Sequence, residues 1–148
     1  MDITVKYSKA ASPVFAGISL SSLFFSLPVM QALITFGQLG NAAAAKRINV
    51  IIIAILLLCS LITDIHFYRS NPFKSAYPIS YFSSCLIWAA VSFYYTVNCN
   101  FSLIYGNRAD EAYSVFRTAL FQICAVNAFS LLFRIVFEFY IYMKRAKQ

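Results

Sequence analysis

The run INVIIIAILLLCSLIT, Ile48 to Thr63, constrains this chain more than any other stretch. It carries no charge, is dominated by Ile and Leu, and lies between Lys46-Arg47 and Asp64. A water-soluble domain rarely holds such a run as one helix. Extended through the boundary residues Asp64 to Tyr68, it has the length of a membrane crossing. Composition agrees: 61% of residues are hydrophobic and 11% are charged, against about 25% charged in a soluble domain. The expected fold class is all-α, an integral membrane bundle of four transmembrane helices forming a single domain over residues 1–148.

The spans are expected at approximately 14–36, 48–68, 79–100 and 114–138. Pro13 is placed to open the first, where its missing N–H breaks no helical bond. Pro28, inside that span, predicts a kink. Lys6 and Lys9 ahead of an apolar core resemble a signal peptide, but the core runs from Val14 to Phe36, beyond the roughly 7–15 residues of a signal core. An uncleaved span is expected. Gly37, Gly40 and Asn41 end it, and AAAAKR leads into the second. The stretch RSNPFKSAYP, punctuated by Pro72 and Pro78, reads as a short loop. No charge occurs from Ser75 through Asn107, more than one crossing needs. The third span is therefore set at about Ile79 to Asn98 or a little beyond, with Trp88 near mid-depth. Asp110 and Glu111 suit the positive end of the helix that carries the fourth. Its apolar run reaches Met143, interrupted by Arg134 and Glu138, and the tail KRAKQ is basic.

The net charge of +7 would suggest nucleic acid in a soluble protein. Here the basic residues lie between or beyond apolar runs and form no stripe, so their meaning is topology and attraction to anionic headgroups. No nucleic-acid partner is expected. With four crossings both termini share one side. That side holds seven Lys and Arg and the other holds four, which favours cytosolic termini. A secretory-pathway or plasma membrane is expected.

Asp64, His66, Arg134 and Glu138 form the most informative polar set. Charges within a span are costly and face the bundle or a watery cavity. Asp64 follows Arg47 by 17 residues and Arg134 follows Arg117 by 17. If the two arginines mark one boundary, Asp64 and Arg134 share a depth of roughly 26 Å at 1.5 Å per residue, and are expected to face each other. Glu138 adds a neighbour four residues from Arg134. An ion pair that fixes register accounts for this better than an ion pathway does, because Gln31, Asn49 and Asn127 read as isolated and a relay needs a chain of polar groups.

Gly17 and Ser21, and likewise Ser22 and Ser26, are four apart, which offers small-residue faces for close helix packing. The competing reading is serine hydroxyls bonded back onto their own helix. Cys59, Cys85, Cys99 and Cys124 form no CxxC pair; three lie inside apolar runs and read as buried small hydrophobes, while Cys99 lies near the end of the third run, where a lone cysteine has no partner for an internal bridge. His66 is the only histidine, so no metal site and no cofactor are expected. Asn100-Phe101-Ser102 is a glycosylation sequon. No GxSxG or glycine-rich phosphate loop occurs, and paired carboxylates are absent. An enzyme is not expected.

What remains is a small non-catalytic four-span protein acting by association, as a subunit of a larger membrane complex or an organiser of membrane and cargo trafficking. Its partners would be membrane lipids and a membrane protein or further copies of itself. The layout resembles MARVEL-type four-span proteins: short loops, cytosolic ends, Lys46-Arg47 entering the second span, Arg117 entering the fourth, and Cys99 in the outer loop region. That resemblance implies roles in membrane apposition, vesicle trafficking or microdomain organisation. The outer loops are very short and hold one cysteine where a pair would bridge, so it does not extend to adhesion. The alternative is a small transporter or ion-pathway subunit using Asp64 and Arg134. It would require Gln31, Asn49, Trp88 and Asn127 to converge on one cavity.

Overall fold

The computed structural model describes the backbone of residues 3–70 and 76–145, and the side chains of residues 11–66, 76–136, 139, 140, 143 and 144. Pro72 and the side chain of Glu138 lie outside the described residues. Four long helices carry the fold: α1 (Ile3–Leu39), α2 (Ala42–Ser70), α3 (Ala76–Asn98) and, after the one-turn α4 (Ser102–Tyr105) and a 3-10 turn (Gly106–Arg108), α5 (Ala109–Arg145). No strand occurs among the described residues. All four are long and apolar enough to cross a membrane. In hydrocarbon a backbone must satisfy its own polar groups, and helices do so within one segment.

Length sorts the helices. The 23 residues of α3 rise about 35 Å, little more than the hydrocarbon thickness of about 30 Å. The 37 residues of α1 and of α5 rise about 55 Å and extend beyond it. The start of α1, the end of α2, the start of α3 and the end of α5 share one end of the bundle, as the contacts Gly17–Tyr77 and Asp64–Arg134 require.

Local chemistry sets the boundaries. Helix α1 is continuous through Pro13 and Pro28. It extends ten residues ahead of Pro13, so this proline does not open the helix. Both prolines are fully buried. Gly40 ends α1 at φ +61 and donates its N–H to Phe36 O at 2.9 Å, the left-handed C-terminal cap that glycine adopts without steric cost. Asn41 is more than a terminator. Its Oδ1 accepts from Ala43 N at 3.0 Å and Ala44 N at 3.1 Å, capping α2. AAAAKR is therefore the first part of α2 itself. Pro78 lies inside α3 rather than in a loop, at the first turn, where an absent N–H is tolerated.

Two cores stack along the bundle. One joins all four long helices through Phe24, Phe25, Ile53, Leu56, Tyr77, Tyr81, Cys85 and Ile123. The other lies toward the α1–α2 turn and is built from Ala32, Phe36, Ala45, Phe101, Ala112, Val115, Phe116 and Ala119. Buried alanines from three helices, Ala32 of α1, Ala45 of α2, and Ala112 and Ala119 of α5, bring those backbones close. No α3 residue belongs to this second core; from Leu86 to Asn98 no α3 residue is fully buried, and Trp88 and Ala89 pack half-buried against the first core. The bundle is thus four helices thick at one end, while at the other α3 stands at its margin.

Candidate functional site

The polar groups that the sequence scatters along three spans come together as a column between α2, α3 and α5. Its wide end is the ion pair in which Arg134 Nη2 donates to Asp64 Oδ2. Both side chains are less than one-fifth exposed. The guanidinium also lies 5.9 Å from the ring centroid of Tyr77 and 5.8 Å from that of Phe82, within reach of a cation–π attraction. These rings shield the charge from the acyl chains while Asp64 neutralises it.

One helical turn deeper, about 6 Å, stand Ser60 on α2 and Ser130 on α5. Ser60 is buried and lines one small cavity with Tyr81 and Ser130. Tyr81 OH donates to Asn127 Oδ1 at 2.7 Å, and Asn127 Nδ2 donates to Ile123 O at 2.8 Å. Cys85 Sγ lies 3.9 Å from the same Asn127 oxygen. Beyond this level the column stops at Phe24, Ile53, Leu56 and Ile123, all buried. Asn127 is therefore not isolated. Tyr81 and Cys85, which bond it, and Ser60, Tyr77 and Ser130, which stand nearby, were not read from the sequence. Their signal was spacing: Tyr77, Tyr81 and Cys85 recur every four residues on one face of α3.

The other expected site residues lie elsewhere. His66, two residues past Asp64, is exposed on a different face of α2. Asn49 donates to Gln122 Oε1 at 3.1 Å, Gln31 donates to Thr35 Oγ1 at 3.2 Å, and Trp88 Nε1 donates to Ser22 Oγ at 3.0 Å. These groups and Asn127 bond at four separate places and do not converge on a cavity. Asn100 is exposed in the α3–α4 connection, its Oδ1 accepting from Ser102 N at 3.1 Å and from the Ser102 hydroxyl. Cys59, Cys99 and Cys124 are exposed free thiols and Cys85 a buried one.

Along α1, both readings of the small residues hold at once. Gly17 and Ser21 are buried. A Cβ at Gly17 would meet Ser80 Oγ and lie 2.8 Å from Tyr77 O and 2.9 Å from Tyr81 N, so the absent side chain lets α3 approach. Ser21 and Ser22 meanwhile donate to Ile18 O, and Ser26 to Ser22 O, each at 2.8 Å. Ser22 combines the roles, bonded to its own helix and accepting from Trp88.

No group of three or more His, Cys, Asp or Glu that could hold a metal occurs among the described residues. Fold and site together define a class: a multi-pass membrane protein built as an all-α four-helix bundle, with an ionic and polar column in its interior. Comparison with known proteins finds no matching family model, no matching curated protein and no matching solved structure.

Proposed function

We propose that this protein works by association within the membrane, as a subunit of a larger membrane complex or an organiser of membrane and cargo traffic, and performs no catalysis. The observation that carries this reading is the unequal packing of α3. Its first half supplies Tyr77, Tyr81 and Cys85 to the core, while its second half presents Leu86, Ile87, Phe93, Tyr94, Tyr95 and Val97 outward. The other three helices close on each other at that level without it. An aromatic-rich helix face at the margin of a bundle is a surface for a further transmembrane helix, through ring packing and close van der Waals contact. Gln31, Asn49 and Trp88 each bond within the bundle, which leaves little polar chemistry pointing at a substrate.

A MARVEL-type role in membrane apposition or vesicle traffic, cytosolic termini, and a secretory-pathway or plasma membrane belong to the same proposal. They rest on the layout of spans and on the Lys and Arg count. A second reading, a subunit of an ion pathway through Asp64 and Arg134, is favoured by the polar column but opposed by its apolar stop at Ile53 and Leu56. Photo-crosslinking side chains at Leu86 and Phe93, with Ile51 and Ile62 on α2 as references, test the association. A discrete protein adduct from the α3 positions in native membranes is expected. Lipid adducts alone at all four positions would overturn it.

A further inference from the structure

We infer that the polar column is a one-sided hydrated cleft, in which a water molecule lodges in mid-membrane among Ser60, Tyr81, Asn127 and Ser130. The inference concerns the interior of the bundle and stands apart from the association reading. A cavity of about 10 Å³ lies here, lined by those four polar residues and by apolar neighbours including Phe24 and Leu56. That is about the volume that admits one water, which also needs two to four polar partners. The lining provides them. Asn127 uses one amide hydrogen on Ile123 O, and its oxygen accepts from Tyr81 OH and Cys85 Sγ, so one amide hydrogen remains to be donated. The hydroxyls of Ser60 and Ser130 add further capacity.

A route from outside is built from the same chemistry. Ser60 is one turn from Asp64, and Ser130 one turn from Arg134. Asp64 Oδ1 is covered by the fold and takes no hydrogen bond among the described residues, while Oδ2 holds Arg134. An ionised oxygen so placed in a membrane protein attracts water strongly. Past Asn127 the buried side chains of Phe24, Ile53, Leu56 and Ile123 offer no polar atom, so hydration ends there. The column thus wets half the bundle from the face that bears Asp64 and Arg134, and it conducts nothing through.

Water-edited solid-state NMR on the isotope-labelled full chain in phosphatidylcholine bilayers tests this without altering the protein. Magnetisation from water should reach the Asn127 side-chain amide, Ser60 and Ser130 about as fast as it reaches Asp64, and several-fold faster than it reaches Ala32 and Ala119, which are buried in the second core and do not line the cavity. In N127L the transfer to Ser60 and Ser130 should fall toward the Ala32 and Ala119 rates while that to Asp64 persists. Transfer to Asn127 as slow as to Ala32 and Ala119 would overturn the inference, because the cleft would be dry. Transfer to Ala32 and Ala119 as fast as to Asn127 would also overturn it, because hydration would run through. Unchanged fast transfer to Ser60 in N127L would remove Asn127 as the anchor.

Discussion

Arg134 of α5 bonds Asp64 of α2, and each stands 17 residues beyond a basic residue near the start of its own apolar run. Two antiparallel hairpins are thereby tied at one depth. Removing one partner leaves an uncompensated charge against hydrocarbon, whereas removing both leaves none. D64L or R134L alone should destabilise the solubilised protein by about 1–3 kcal/mol, the scale of a hydrogen bond to a charged group. The double variant D64L/R134L should lose less than the sum of the two. Thermal unfolding in mild detergent across this double-mutant cycle checks the coupling. Additive losses would mean that the contact contributes no pairwise energy.

Gly17 and Gly37 give opposite expectations from one helix. At Gly17 a methyl group collides with Ser80 and with the backbone of α3 at Tyr77 and Tyr81. G17A should cost about 1–3 kcal/mol through overpacking. At Gly37 a Cβ would meet nothing within 4 Å, so G37A should be neutral or stabilising by up to about 1 kcal/mol from helix propensity alone. The pair of melting temperatures decides whether α1 and α3 touch through the backbone.

Tyr81 and Asn127 carry the shorter of the two described side-chain hydrogen bonds that join α3 to α5, at 2.7 Å against 3.9 Å for Cys85 and Asn127. Such bonds within membranes are modest, about 0.5–2 kcal/mol. Y81F and N127L should each destabilise by that amount, and the double variant by little more than either single one. Unfolding in a detergent titration reads the difference.

Arg108 closes the opposite end of the bundle. Its Nη2 donates to Gly40 O at 2.6 Å and to Glu111 Oε2 at 2.8 Å, and its guanidinium lies 4.6 Å from the centroid of the Phe36 ring. R108A frees the carbonyl that ends α1 and should cost about 1–2 kcal/mol. R47A, at an exposed position, should stay within about 0.5 kcal/mol of the parent. Limited proteolysis at the α1–α2 turn should accelerate in R108A and not in R47A.

How much of this was legible depended on whether a helix carries charges that anchor its register. Four spans followed from uncharged runs, because lipid imposes length directly. The depth of Asp64 and Arg134 followed from the basic residues that precede them. Helix α3 has no Lys, Arg, Asp or Glu, so nothing in its sequence fixed which level Tyr77 and Tyr81 occupy, and Asn127 looked solitary. The marginal position of the second half of α3 was equally hidden, since its exposed and covered residues are alike in hydropathy. Pro13 misled for another reason: a helix that extends beyond the hydrocarbon absorbs one missing bond in its interior.

Alkaline carbonate extraction of membranes that contain the full chain tests most directly whether lipid is the solvent for these four helices. The expected result is complete retention in the membrane pellet, with release by detergent alone. Recovery of the chain in the carbonate supernatant would contradict the four spans and, with them, the intramembrane column.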